Sequence, residues 1–562
     1  DYVFSWLGNP DLLLAIIKLI EDSMNVEHDT ESVGVQVILL IEDSVRFYSS
    51  ALPTLFKIVM EASKEFSKEA LNEHQQMLRM RGRPKIMLAR TFEEAVDIYK
   101  KYYNNILGVI TDMSYAHGGT KDKLAGYNFV KWMRKQRRFA PVVFTSSEVK
   151  NKAYADELGC SFIDKNSKSF PRDLKKQVVN NFGFGDFIII DPETGNEIMR
   201  IRNLKDMQKN IFNIPDASIE YHLSHDHFSR FFYSRAMFPL AEWLKRIAVT
   251  DFSSMEEARQ IIYDMIIKYR KVKNSGIVAT FDKDRFDEFS NFARMGDGSI
   301  GGKGRSIAFI DNIIKEHLEL NEDNKISVKI PRTVVLCTDI FDEFMETNDL
   351  YPIALSDKSD DEILRCFFRA GLPDRLIEDF MVFLDAIDAP IAVRSSSLLE
   401  DSHYQPFAGV YSTYMIPLMK DKYDTLGLLS KAIKAVYASV FYKDSKTYMT
   451  ATQNLIDQEK MAIVIQEAVG TNYEDHFYPT ISGVARSLNF YPIGNERPEE
   501  GIANIVLGLG KYIVEGGSNL RFSPAHPHNI VQLSSVDLAL RDTQRFFYAL
   551  DTKNIQKEFT TN

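Results

Sequence analysis

Five residues far apart in the chain carry the makings of a phosphorylation site. Glu42 and Asp43 follow the apolar run VILLI (37–41), and Asp112 follows GVIT (108–111). Thr145 follows VVF (142–144), and Lys165 follows SFID (161–164). Each stands where a short buried strand would end, and an open α/β sheet binds ligands outside the carboxyl ends of its strands. The chemistry of the set is coherent. Carboxylate oxygens suit Mg²⁺, Asp112 is a candidate nucleophile, Lys165 could neutralise a phosphoryl oxygen, and the Thr145 hydroxyl could hydrogen-bond the phosphate and report its presence. Taken singly, each is as well explained as a polar end to a buried strand. Five in this order favour a site, with Glu42, Asp43 and Asp112 as metal ligands.

A second constellation lies downstream. Gly296, Gly298, Gly301, Gly302 and Gly304 fall within nine residues, around Lys303 and before an amphipathic helix (Ile307, Ile310, Ile314). Glycines admit close approach of phosphate oxygens, and a helix N-terminus favours anions. The Walker spacing is absent, because Gly304 follows the lysine. A strand, 390–393, then runs into Arg394-Ser395-Ser396-Ser397. Arg394 offers phosphate a planar fork. FAGVYST (407–413) supplies a small-residue loop at Ala408-Gly409 able to cover a nucleotide, and MAIVI (461–465) is a strand ending in Gln466-Glu467, where an adenine could be hydrogen-bonded. Ser482-Gly483-Val484 and Gly508-Leu509-Gly510 complete the set.

The elements that must position these groups follow from patterning. From Gln36 to about 180, strands of four or five apolar residues alternate with helices, which indicates a parallel doubly wound sheet. Before it, Asp11–Met24 reads as an amphipathic helix and Glu27–Ser32 as a polar linker; Val45 to about Met80 reads as one long helical stretch. The region 182–285 opens on a hairpin, FIIIDPETGNEIMRI, followed by helices rich in Phe, Tyr and Met. After 286 the chain is mixed α and β. The expected organisation is therefore 1–34, 35–181, 182–285 and 286–562, a multidomain α/β and α+β protein, in keeping with 562 residues. His222, His225 and His227 lie within six residues, but helix capping and packing explain them better than a metal.

Composition excludes several classes. Asp and Glu (78) outnumber Lys and Arg (68), for a net charge of −10, so the footprint of a general nucleic-acid binder is missing. No apolar run reaches the roughly 18 residues of a membrane span. Cys160, Cys337 and Cys366 are too dispersed for a disulfide framework or zinc cluster, which favours a reducing, cytoplasmic setting. A first residue of Asp suggests an internal stretch of a longer protein.

Over about 35–180 the first constellation resembles the receiver domain of two-component response regulators. The resemblance implies Glu42 and Asp43 as the acidic pair, Asp112 as phosphoacceptor, Thr145 as switch hydroxyl and Lys165 as the conserved lysine. It departs in having Glu as the first acid and a longer stretch around Ser67–Arg83. By the same resemblance, 1–24 looks like the final helix of a preceding receiver. Over about 290–525, GGKG (301–304), IPRTVVLCTDIFDEF (330–344), AVRSSSLLED (392–401), FAGVYST, IQE (465–467) and SGV (482–484) resemble the ATP-grasp nucleotide domain of phosphoenolpyruvate synthase and pyruvate phosphate dikinase. This implies ATP and Mg²⁺ as cofactors. Gly301, Gly302, Lys303, Gly304, Arg394, Ser395 and Gly409 would then lie around the phosphates, with Gln466 and Glu467 at the adenine. Lys511 stands where the family commonly has Glu, and the late Gln-x-Arg-Pro segment has no counterpart.

Two functions are therefore expected to compete. One is an ATP-dependent phosphotransferase of the dikinase type coupled to a phosphorylatable receiver. The other is a signalling protein that uses ATP binding as a sensor. A third, in which both sites are relics, is disfavoured by the complete receiver set. None of the eleven histidines stands in a Thr-Ser-His context, and no barrel for pyruvate is evident, so the chain as given is not expected to make phosphoenolpyruvate. Beyond ATP, a sensor kinase or other phosphodonor and a second copy of the chain are the partners left open; nucleic acid and membrane are not expected.

Overall fold

In the computed structural model, Val37–Ile41 (β1) is buried along its whole length because both faces of its sheet are covered. Val37, Leu39 and Ile41 enter one apolar cluster, and Ile38 and Leu40 the other. A strand covered on both sides reads as a continuous apolar run. The structure describes residues 2–6, 8–68, 70, 72–274, 277–282, 290–317, 326–397, 411–451 and 460–553. These fall into two compact units, Asp1–Lys273 and Asn274–Asn562.

The first unit begins with α1 (Asp11–Ser32), then β1, α2 (Val45–Ser67), α3 (Glu73–Arg81), β2 (Lys85–Ala89), α4 (Phe92–Lys101) and β3 (Ile106–Asp112). A short antiparallel pair, β4 (Tyr115–His117) and β5 (Thr120–Asp122), precedes α5 (Ala125–Arg134), β6 (Val142–Ser146), α6 (Lys152–Glu157), β7 (Ser161–Asp164) and α7 (Phe170–Asn181). The parallel sheet has the order β2-β1-β3-β6-β7. Chain direction reverses across the sheet between β1 and β3, the switch point where doubly wound folds place their ligands. Helices α4, α5 and α6 cover one face; α2 and α7 cover the other.

Two elements differ from the sequence reading. The first helix does not stop at Met24 but continues to Ser32, because Val26 and Thr30 are buried and continue its inner face. The long helical stretch after Val45 divides into α2 and α3. The region after Asn181 carries the hairpin β8 (Phe187–Ile190) and β9 (Glu197–Ile201). The helices α8 (Leu204–Asn210), α9 (Asp216–Ser224), α10 (His227–Ser234), α11 (Phe238–Arg246) and α12 (Met255–Asn274) follow it. Ile219, Phe228, Phe231, Phe232, Leu240 and Ile262 share one apolar cluster with α2 and α7.

The second unit contains a six-stranded sheet, β10 (Ala279–Thr280), β11 (Phe292–Met295), β12 (Thr333–Leu336), β15 (Ala462–Glu467), β13 (Ile391–Ser396) and β14 (Thr413–Ile416) in spatial order. Helix α13 (Gly301–Glu316) lies on one face, where Ile300, Ile307 and Ile314 meet Val335, Ala462 and Val464. The helices α14 (Thr338–Thr347), α15 (Tyr351–Ala354), α16 (Asp360–Arg369), α17 (Arg375–Asp385), α18 (Lys422–Ser439) and α19 (Lys443–Ala451) follow in the chain. Two small antiparallel sheets end it: β16 (Thr471–Tyr473), β17 (His476–Tyr478) and β21 (Leu550–Asp551), and β18 (Ser482–Arg486), β19 (Ile502–Val506) and β20 (Leu520–Phe522). Among the described residues no helix is long and apolar enough to cross a membrane.

Candidate functional sites

At the carboxyl edge of the parallel sheet, β1 and β3 bring Glu42, Asp43 and Asp112 together. One ligand oxygen from each lies within 4.8 Å of the others, and among the described residues this is the one such grouping of three. Hard oxygen donors at this spacing suit a divalent cation such as Mg²⁺. Lys165, beyond β7, sends its Nζ to Asp112 Oδ1 at 2.9 Å and pairs with Glu42. Its ammonium also sits 4.5 Å from the centre of the Phe47 ring. Lys165 and Glu42 are buried, whereas the Asp112 carboxylate keeps 13% of its surface. Burial pushes Glu42 up to about 7 despite Lys165, and the neighbouring Asp112 charge adds to the rise. A carboxylate open to a cleft beside a buried lysine has the chemistry to act as a nucleophile toward an electrophilic phosphorus.

That cleft has a volume of about 730 Å³. Its cationic rim was not foreseen: Lys121 and Lys123 come from the β5 region, and Lys150 from the turn after β6. Lys121 Nζ reaches Asp43 Oδ2 at 3.2 Å. The sequence signal was present in the basic TKDK run, but nothing local says that a small hairpin folds it over the acidic cluster. Thr145 pairs with Asp112 across the sheet, yet it is buried and its hydroxyl donates to the Thr111 carbonyl at 3.4 Å. Ser146 and Ser147 line the cleft in its stead.

His222 and His227 pack against each other, and His222 against the Phe187 ring. The Ile190 amide donates to His222 Nε2 at 3.1 Å, and the Nδ1 atoms of His222 and His227 lie 2.8 Å apart. His222 therefore carries its proton on Nδ1 and donates it to His227, so both rings are neutral. Burial holds His222 down at about 4.

In the second unit the glycine-rich turn and the Arg394 strand form one structure. The Gly304 amide donates to Ser396 Oγ at 3.1 Å, the Gly302 amide to the Ser397 carbonyl at 3.1 Å, and Ser396 Oγ to the Ile300 carbonyl at 2.9 Å. The Asp297 and Gly298 amides donate to the Asp339 carboxylate at 3.0 Å each, and the Gly301 amide to Ser299 Oγ at 3.2 Å. The turn thus spends these donors within the chain, and Gly301 admits β13 rather than a ligand. Lys303 Nζ lies 3.5 Å from Ser395 Oγ. Arg394 shares a strand face with Ser396, which is the face that α13 covers. Arg394 is partly buried and makes no ion pair among the described residues.

Gln466 lies in an interior strand between β12 and β13, and its side chain donates to Thr333 Oγ1 at 2.9 Å. The Glu467 and Ala468 amides donate to the Arg332 and Pro390 carbonyls at 2.8 and 2.7 Å. Gly409 and residues 398–410 generally, including most of FAGVYST, lie outside the described residues.

With this geometry in place, known proteins can be compared. Residues 297–541 match the pyruvate phosphate dikinase AMP/ATP-binding domain. That stretch runs from the glycine turn through Lys303, Arg394 and Gln466 to the small C-terminal sheets. A curated relative, the uncharacterized phosphotransferase YvkC of Bacillus subtilis (strain 168), is 28% identical over 192 residues. The alignment covers 34% of this chain and 21% of that protein, about a fifth of the relative's length. Among solved structures, a response regulator receiver domain protein from Clostridium thermocellum is 19% identical, covering 26% of this chain and 93% of that one with a TM-score of 0.18. The stretch that matches the AMP/ATP-binding domain lies wholly within the second unit.

Proposed function

We propose that the chain is an ATP-binding phosphotransferase module of the phosphoenolpyruvate synthase and dikinase type that also carries a phosphorylatable receiver-like site. The observation behind the first half is the match of 297–541 to an AMP/ATP-binding domain, with Lys303 reaching Ser395, the residue after Arg394. Phosphoryl transfer depends mainly on positioning and charge neutralisation. Lys303 and Arg394 would meet the ATP phosphates as point charge and planar fork. Replacing either with Ala removes a charge-assisted contact worth roughly 1.5–3 kcal/mol. Lys303→Ala and Arg394→Ala should thus each weaken ATP binding, measured by calorimetry, by about tenfold or more. Wild-type affinity in both variants would remove these residues from the site.

The second half rests on the acidic cluster and Lys165. A Mg²⁺ ion held by Glu42, Asp43 and Asp112 would screen charge on the incoming phosphoryl group. An Asp112 oxygen attacks phosphorus, the bond to the donor's leaving oxygen breaks, and that oxygen departs with the electron pair. Lys165 then turns from the carboxylate to a phosphoryl oxygen. Incubation with Mg²⁺ and acetyl phosphate should add one phosphoryl group by intact-mass spectrometry, and Asp112→Asn should abolish the addition. Equal labelling of Asp112→Asn would place the acceptor elsewhere. ATP binding with no phosphoryl transfer to any acceptor would favour the sensor function instead.

A further inference from the structure

A groove in the first unit shares no lining residue with the acidic cleft. It runs between α1 and α2, is walled at one end by the last turn of α3, and encloses about 940 Å³, within the range of small-molecule sites. Its third wall comes from the stretch around Ser67–Arg83 that is longer than in receiver domains. The apolar lining includes Leu14, Ala15, Phe56, Met60, Leu78 and Met80. Both Leu78 and Met80 are about half exposed and extend the apolar lining to the surface.

Charge distinguishes the occupant. Of the acids that line the groove, Glu21 pairs with Lys18 at 2.7 Å, Asp29 with Lys85 at 2.7 Å and Glu61 with Lys175 at 2.9 Å, and Asp11 is the fourth. Arg83 at the floor is held by Asp22. Lys57, Lys64 and Arg81 also line the groove and form none of these close pairs, although Lys57 lies near enough to Glu61 to help lower its pKa. Lys57 and Lys64 are seven residues apart on α2, so they rise on one side of that helix with Met60 between them. The lining carries six basic side chains (Lys18, Lys57, Lys64, Arg81, Arg83 and Lys85) against four acidic ones (Asp11, Glu21, Asp29 and Glu61), and an apolar trough with this excess of positive charge complements a molecule that is apolar along its length and anionic at one end.

We propose that this groove binds a free single-chain anionic amphiphile, with its hydrocarbon body along Leu14, Phe56, Met60 and Met80 and its carboxylate or phosphate head among Lys57, Lys64 and Arg81. The three cations give the head its preference; the trough gives the chain its place.

The test titrates the full chain with sodium dodecanoate below its critical micelle concentration, followed by calorimetry. Saturable binding at one site is expected. The double variant Lys57→Glu, Lys64→Glu should weaken dodecanoate about tenfold while leaving dodecanol binding unchanged. In wild-type protein with ¹³C-methyl methionine, Met60 and Met80 should shift on addition of dodecanoate while Met461 in the second unit stays put, a readout that needs no variant. Absence of saturable binding, equal affinity in the double variant, methionine shifts spread over both units, or binding to anionic phosphatidylglycerol vesicles without binding of free dodecanoate would each overturn the proposal.

Discussion

Asp22→Asn should lower the stability of the first unit by about 3–5 kcal/mol, the range for breaking a buried ion pair by removing one partner. Asp22 has no exposed surface. Its oxygens accept from Arg83 at 2.7 and 3.0 Å and from the Ile86 amide at 2.9 Å, with Lys85 Nζ at 3.9 Å. Asn keeps the size and one acceptor but leaves the Arg83 guanidinium, itself only 8% exposed, without a counter-charge. Because Ile86 lies in β2, the pair also ties α1 to the sheet edge. Urea unfolding of the full chain, followed at the transition of the first unit, gives the measurement. The double variant Asp22→Asn, Arg83→Met should recover much of the loss, since removal of both charges leaves nothing unpaired. A single variant within 1 kcal/mol of wild type would show that the pair is not buried in solution.

The same residue shows where sequence reading reaches its limit. Asp22 on a helix reads as a solvated charge, and its partner lies 61 residues away, so α1 looked detachable and its last turns looked like a linker. The parallel strands were legible for the opposite reason. Burial on both faces makes each strand a run of apolar residues, and each run ends in the polar group that the sheet then places at its edge. Glu42, Asp43, Asp112 and Lys165 could therefore be brought together from order alone. Thr145 could not be oriented that way, because a strand's end fixes where a residue sits but not which way its hydroxyl turns. The cationic rim was hidden for the same reason as the Asp22 pair, since Lys121 meets Asp43 only through a hairpin fold.

The glycine-rich turn was legible as a turn, but its use of backbone donors was not. Glycine spacing alone cannot say whether the close neighbour is a ligand or another strand. Here the neighbour is β13, so the turn and the Arg394 strand, 90 residues apart, depend on each other.

That dependence makes Gly301→Ala the second large effect expected. Gly301 has φ of +69°, a left-handed conformation that costs a residue with a Cβ roughly 1 kcal/mol. A Cβ there would also fall 1.7 Å from the Ser396 carbonyl oxygen, which is backbone and has no rotamer to escape into. Ser396 is pinned in turn by its pairing with Ala462 in the interior strand β15. Overpacking of this kind adds about 1–3 kcal/mol, so the second unit should lose about 3 kcal/mol in denaturant unfolding. Relief by moving α13 away from β13 would carry Lys303 from Ser395 and Arg394, so ATP binding should fall together with stability. Gly427→Ala supplies the contrast. It lies inside α18 with nothing within 4 Å of an added Cβ, and there the change should stabilise by about 0.5–1 kcal/mol. If Gly301→Ala and Gly427→Ala gave the same small gain, the close approach of the glycine turn to β13 would be disproved, and with it the reason for placing Lys303 at Ser395.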